Sequence, residues 1–416
     1  MNFEKIGDIV EVYDSLHHTP KNYLDSGYPM VRVKDIKQGF LTLRDVAYVD
    51  EDVYKEFTKK YIPQIGDVVL SRVGSYGIPC FVQTNEVFCL GQNTVVLHPV
   101  EVEPKYLYYC LSSNIVQNQI EKLVTGSTQK TISLKSIKEV EIPFPNKETQ
   151  EKVGDFFFNI DSKLNANKEI IDNVEELSQT LFKHWFIDFE FPNEEGLPYK
   201  SSGGKMVESE LGEIPEGWKV YKLNDFTESV SKSINKNNIQ FARFLNTSDI
   251  LEGYVGNVDL SPTDKMPGQA KKLIKKDDIL YSEIRPKNKR YAFVNFDSYE
   301  YVVSTKLMVL RVDKEIYSSK LLYLWLIMPE VINELQQIAE DRSGTFPQIT
   351  FNTLSEFKFV IPNQEVLNRL AEPLEKLIDV QMELKEENEK LIELRDSLLP
   401  KLLSGEIEIP DESVVD

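Results

Sequence analysis

The chain has 416 residues, 41% of them hydrophobic, enough to bury two or three separate cores. Its formal net charge of −19, from 48 Lys and Arg against 67 Asp and Glu, argues against a uniformly basic nucleic-acid binder. Three cysteines, Cys80, Cys89 and Cys110, form neither a Cys-x-x-Cys pair nor an even disulfide set, and the longest apolar run is only "LLYLWLIM" at 321–328; a disulfide scaffold, a signal peptide and a membrane span are therefore excluded, and a cytoplasmic location is expected.

The first block, residues 1–145, carries short runs rich in β-branched and aromatic residues, such as "DVVLSRV", "EVFCL" and "NTVVLH", punctuated by Gly, Pro and Asn. These read as strands and turns, and a helical stretch follows at 105–123. From 146 to 192 the pattern changes. Val153, Phe157, Ile160, Leu164, Asn167, Ile171, Val174, Ser178, Leu181 and Trp185 step by three and four, which keeps one seam on one face and predicts a spacer helix of about 40 residues, or ~60 Å. It closes on Trp185, Phe186, Phe189 and Phe191, which read as an exposed aromatic patch suited to a partner. Residues 193–213 are polar and Gly/Ser-rich and read as a linker.

A second block, 206–362, repeats the pattern of the first, with "YAFVNF" and "KLMVLRV" as strands and a helical stretch at 319–339. A second spacer helix at 363–405 has its own seam: Leu367, Leu370, Leu374, Leu377, Gln381, Leu384, Asn388, Leu391, Arg395, Leu398 and Leu402. Pro373 should kink this helix or set its first turn, and the polar seam residues Asn167 and Asn388 are placed to fix how the helices pair. Residues 406–416 form a C-terminal tail. The charge follows the same division: the two blocks are nearly neutral, at −3 and −2, while segments 146–205 and 363–416 carry −5 and −9.

Block and helix together are duplicated. At an offset of 217 residues, "GSTQKTISLKSIKEVEIPFPNKE" of 126–148 lies on "SGTFPQITFNTLSEFKFVIPNQE" of 343–365, so that Thr128 meets Thr345, Glu139 meets Glu356 and Pro145-Asn146 meets Pro362-Asn363. Upstream, "GDVVLSR" of 66–72 matches "DDILYSE" of 277–283, and "KDIKQG" of 34–39 matches "SDILEG" of 248–253. Downstream, "FEFP" of 189–192 matches "IEIP" of 407–410. The first block lacks the "LGEIPEGW" entry of the second. Each half is thus an α+β block trailed by a long helix.

The segments "LFKHWFIDFEFP", "GLPYKSSGGKMVESELGEIPEGWKV" and "LRDSLLPKLLSGEIEI", with the repeat, resemble the specificity subunit of type I restriction-modification systems over essentially the whole chain. The resemblance implies an α+β fold of two target-recognition domains, 1–145 and 206–362, separated by two long antiparallel coiled-coil helices in pseudo-twofold arrangement. It also implies a non-catalytic subunit that reads a bipartite double-stranded DNA target. Its partners would be two adenine methyltransferase subunits and, in a complete system, restriction and translocase subunits. S-adenosylmethionine, ATP and Mg would act in those partners, with no cofactor in this chain. Two heads on one rod should read half-sites about one helical turn, ~34–36 Å, apart.

Candidate reading residues are polar and basic groups on loops beside strands. "SEIRPKNKRYAF" offers Arg285, Lys287, Asn288, Lys289 and Arg290, a mixture suited to phosphates and base edges. "DRSGTFPQIT" adds Arg342, Thr345 and Gln348, and its repeat counterpart "TGSTQKTIS" supplies Thr128, Gln129 and Lys130. "SRVGSYGIP" contributes Arg72, Ser75 and Tyr76 on a Gly-flanked loop. The run "KKLIKKDD" at 271–278 reads as a solvated segment because its acids oppose its lysines. No nucleotide-binding Gly-rich loop and no Asn-Pro-Pro-[Phe/Tyr] is present, and His17, His18, His98 and His184 are scattered without metal-ligand spacing. The competing reading is a duplicated coiled-coil scaffold that binds only proteins, which near-neutral blocks would suit.

Overall fold

The computed structural model describes residues 2–126, 130–231 and 239–410. The chain forms two compact units, each assembled from discontinuous segments or bounded within the helices: 1–166 with 388–416, and 167–387. The long helices Lys147–Phe182 and Gln364–Ser404 therefore each contribute one part to either unit.

In the first unit a five-stranded sheet runs in the order Val10–Asp14, Thr94–Pro99, Val68–Ser71, Pro79–Phe81, Gly39–Phe40, antiparallel except for the last pair. A smaller sheet joins Ala47–Val49, Tyr28–Val31 and Cys89–Leu90. Helices Pro104–Ser112 and Asn114–Leu123 cover the large sheet, and Tyr106, Tyr108 and Tyr109 are buried there. All three cysteines are free and buried, and burial pushes the Cys80 and Cys89 thiols up to about 12. The second unit repeats the core sheet as Thr227–Ser229, Leu307–Val312, Ile279–Ser282, Tyr291–Phe293, and backs it with helices Ser319–Ile327 and Pro329–Arg342.

The repeat register extends to details that residue matching does not reach. Phe3–Lys5 pairs with Glu141–Pro143, and Lys219–Lys222 pairs with Lys358–Ile361, closing each block on itself. The ion pair Lys5–Glu139, at 2.7 Å, recurs as Lys222–Glu356 at 2.8 Å. The first block therefore starts in register despite lacking the "LGEIPEGW" entry. Asn146 and Asn363 accept the backbone N–H of Thr149 and Val366, so the matched Pro-Asn pairs serve as N-caps of the long helices.

Every residue named in the two helical seams is buried or half-buried. In the first unit the helices run antiparallel: Asp161 meets Arg395, while Phe157 and Ile160 share a core with Leu402 and Leu403. In the second unit they are again antiparallel, with Asn167 Nδ2 donating to Glu387 at 2.7 Å and Gln381 Nε2 to the Ile171 carbonyl at 3.2 Å. The second helix continues through Pro373 without a break. Ile407 and Ile409 pack on the first core as Phe189 and Phe191 do in the second, and residues 411–416 of the tail lie outside the described residues.

Two expectations are corrected. The aromatic residues closing the first helix are not a free patch: Phe186, Phe189 and Phe191 are buried around Trp218 within the second unit, and Trp185 is half-buried against the same core. Within 193–213, Tyr199 stacks on Phe191 and Met206–Ser209 forms a hairpin with Gly212–Pro215. The run 271–278 is not wholly solvated. Ala270–Leu273 is a strand, and Lys272 donates to the carbonyls of Thr305 and Leu307 at 3.1 and 2.7 Å, its ammonium pushed below the usual lysine range by burial.

Candidate nucleic-acid interface

In each unit a central strand of the core sheet, Val68–Ser71 or Ile279–Ser282, leads into a loop that pairs with a second, distant loop. In the first unit Val73 bridges Thr131, Ile132 N–H donates to Arg72 O at 3.0 Å, and Gly74 N–H donates to Lys130 O at 3.1 Å. In the second unit Ile284 bridges Gln348, Ile349 N–H donates to Glu283 O at 2.8 Å, and Arg285 N–H donates to Pro347 O at 3.2 Å. These are the same bonds at matched repeat positions. Gly74 is left-handed at φ 73°, and Arg285 occupies the same place at φ 44°. A residue with a Cβ held there costs about 1–3 kcal/mol, which an ordinary turn would avoid by using glycine.

The second loop is a short 3-10 turn, Pro286–Asn288, whose proline is buried while Arg285, Lys287, Asn288 and Lys289 are exposed. The helix Pro329–Arg342 supports it, with Gln336 Oε1 accepting the Lys287 N–H at 3.1 Å. Lys289, also left-handed, pairs with Glu252 at 2.9 Å. Arg342 and Thr345 are exposed, and Gln348 is half-buried in the bridge. Among the described residues, Arg285, Lys287 and Arg342 have no ion pair.

The first loop brings Tyr76 and Lys130 together. Lys130 Nζ lies 2.6 Å from Glu121 Oε1 and 3.3 Å from Tyr76 Oη, and Tyr76 also donates to Glu121. The Lys130 and Tyr76 hydrogen bonds hold the Glu121 carboxyl below its ordinary range. Ser75 is exposed beside them, while Thr128 and Gln129 lie outside the described residues.

Two sequence candidates are corrected. Arg72 is largely buried, paired with Asp14 and donating to Ile132 O at 3.2 Å, and Arg290 donates to Ser248 O and Ile250 O at 3.0 and 2.9 Å. Both brace a loop from behind rather than reach out of it. Glu121 and Glu252, which pair with the loop lysines, were not anticipated, because nothing in the local sequence singles out these two among the many acids.

The cluster around His98 also has a structural explanation. His98 Nδ1 lies 2.8 Å from the buried Asp67, which accepts from Tyr61 and from the Gln64 N–H. At the matching sheet position of the second unit, Arg311 pairs with the buried Asp278 at 2.8 and 2.7 Å. An arginine fills the same role, so the cluster anchors a strand start. His184 is exposed on the π-turn Lys183–Ile187. Among the described residues no cluster of His, Cys, Asp and Glu could hold a metal ion, and no helix is long and apolar enough to cross a membrane.

Each of the two α+β heads thus carries a paired loop with exposed basic and polar groups at its edge. The model of the type I restriction modification DNA specificity domain matches residues 1–176 and 215–394, so the chain belongs to that family, whose specificity subunits are the non-catalytic DNA target-recognition components of type I restriction-modification systems. The chain is 26% identical over 426 residues to the type I restriction enzyme MjaIX specificity subunit of Methanocaldococcus jannaschii, covering 98% of this chain and 94% of that one. It is 41% identical over 177 residues to the type I restriction enzyme HindI specificity subunit of Haemophilus influenzae, a match covering 42% of this chain and 39% of that relative. In fold it is similar to the crystal structure of a type I restriction-modification S subunit from M. genitalium, with a TM-score of 0.66, 16% identity and coverage of 99% and 96%.

Proposed function

We propose that the chain reads a bipartite double-stranded DNA target in the cytoplasm, with 1–145 and 206–362 as two target-recognition domains that each select one half. The spacer helices 146–192 and 363–405 would carry two methyltransferase subunits that methylate adenine, with restriction and translocase subunits joining a complete system. S-adenosylmethionine, ATP and Mg would act in those partners. The observation that carries this reading is the identical backbone pairing of the two loops in both repeats, with different side chains on each: one scaffold, two surfaces.

On this reading Arg285, Lys287, Asn288, Lys289, Arg342, Thr345 and Gln348 face one half-site, and Ser75, Tyr76, Thr128, Gln129 and Lys130 face the other, with Arg72 and Arg290 shaping the loops. The test is binding by the assembled methyltransferase complex, at fixed salt, to targets randomised in one half at a time. Arg285→Ala and Lys289→Ala should weaken or relax one half only. A lost base-edge arginine costs about 1–3 kcal/mol at a defined base, whereas a lost phosphate lysine weakens all sequences alike and flattens the salt dependence. Equal relaxation of both halves, or no change in either, refutes the proposal.

A further inference from the structure

Lys385 lies on the second long helix within the second unit, far in sequence from the loop 285–290. Its Nζ donates to the Glu252 carbonyl at 2.8 Å and lies 5.0 Å from the centre of the Tyr254 ring. Both contacts fall on one tight hairpin, in which Ile250–Leu251 pairs with Tyr254–Val255. Its turn requires two left-handed residues, Glu252 at φ 49° and Gly253 at φ 86°. A Cβ on Gly253 would sit 2.8 Å from Lys385 Nζ and 2.9 Å from Tyr323 Oη, so the glycine is what lets the helix lysine reach the turn.

The other side of the same turn holds the reading loop. Glu252 N–H donates to Lys289 O at 2.9 Å and Gly253 N–H to Tyr291 O at 2.9 Å. The Glu252 carboxylate pairs with Lys289 at 2.9 Å, and Arg290 ties the loop to the hairpin through Ser248 O and Ile250 O. Glu175 on the first long helix adds to the environment: its carboxyl is raised by burial and drawn back by Lys385 and Lys289. Burial likewise lowers the Lys385 ammonium, while Glu175, Glu252 and Asp172 oppose that shift.

The matched turn of the first unit, Gln38–Gly39, has no such latch among the described residues. A Cβ on Gly39 would meet nothing within 4 Å, and Gln38 lines an open cleft with Tyr108, Asp161 and Arg395.

We propose that Lys385 is a positioning residue for DNA recognition: through the Glu252–Gly253 turn it fixes the loop 285–290 against the helix pair, so one head's selectivity depends on a lysine that is not itself at the DNA. The inference rests on the reading of loop 285–290 as a DNA-contacting segment.

The experiment uses the assembled methyltransferase complex and the half-randomised targets. Lys385→Met should reduce base discrimination about 5- to 10-fold in the half-site read by the second block, leaving the other half and the salt slope unchanged. Lys385→Arg should restore most of it, since a donor again reaches the Glu252 carbonyl. Lys168→Met, an exposed lysine at the matching repeat position of the first helix, is the control and should change nothing. Glu252→Gln removes the anchor of Lys289 but keeps the hairpin, and should give the same one-sided relaxation even where Lys385→Met fails to assemble. Unchanged discrimination in an assembled Lys385→Met complex overturns the inference, and where Lys385→Met does not assemble, unchanged discrimination in Glu252→Gln does. So does an affinity loss shared by both halves with discrimination intact, the mark of a purely structural role. Failure of the underlying reading is distinct, because Arg285→Ala would then also leave both halves unchanged.

Discussion

Replacing Arg395 by methionine tests how the helices are held in the first unit. Asp161 is nearly buried, with a side chain 9% exposed, and the Arg395 guanidinium lies 2.9 Å from it while also bonding Asp396 at 3.0 Å. Tyr109 Oη donates to the second Asp161 oxygen at 2.8 Å. The methionine side chain would keep most of the aliphatic packing but leave a buried carboxylate with a single neutral donor. Breaking a buried pair in this way costs about 3–5 kcal/mol, and the 27% exposure of the Arg395 side chain admits enough water to lower the expected loss to about 2–3 kcal/mol. The assay is urea unfolding of the full chain, with Asp161→Asn and the double variant completing a cycle. Asp161→Asn with Arg395→Met should recover at least half of the single-variant loss, since no uncompensated charge remains. A loss below about 0.5 kcal/mol for Arg395→Met, or additive behaviour of the two changes, would refute the view that this pair helps hold the helices together in the first unit.

Two further outcomes follow from the packing. Trp218→Ala should lower stability by about 3–5 kcal/mol in the same unfolding assay, because Phe186, Phe189 and Phe191 all pack on the indole and the cavity cannot close without moving the helix end. Gly77→Ala should weaken selection of the first block's half-site while sparing the other, measured with half-randomised targets: the residue is left-handed at φ 72°, and a Cβ would lie 2.8 Å from Ile120 Cγ2, forcing the adjacent Tyr76 to shift.

Much of this architecture was legible because it is periodic. The seam spacing identified both long helices, and polar members such as Asn167, Gln381, Asn388 and Arg395 fell on the buried face along with the leucines. The 217-residue register matched Glu139 with Glu356 and Pro145-Asn146 with Pro362-Asn363, but that these residues close each block by an ion pair and cap the long helices is visible only in the structure, because each role depends on a partner the repeat does not name. The aromatic cluster misled for a physical reason. Phe186, Phe189 and Phe191 find their partner in Trp218, well downstream in the chain, and hydrophobicity alone does not distinguish a surface awaiting a protein from one already covered. Arg72 and Arg290 misled similarly, because a loop arginine reaches either outward or back to its own backbone depending on which carbonyls lie beneath it.

The nearly neutral charge of each block suits a scaffold, but net charge is the wrong quantity for a small exposed loop edge. In the second block many basic residues are neutralised inside the protein or at its ends, as in Arg311–Asp278, Lys314–Asp277, Lys222–Glu356 and Lys358–Glu210. Arg285, Lys287 and Arg342 at the paired loops are exposed without such partners among the described residues. With a Debye length of about 10 Å at 0.1 M salt, carboxylates elsewhere on the block do little to cancel them. Each phosphate neutralised contributes a slope of about −0.9 in log affinity against log salt, so three such cations give only about −2.7, far below a protein that holds DNA by charge alone. On the proposed reading such a head discriminates without gripping, and the partner subunits are expected to supply the bulk of the affinity.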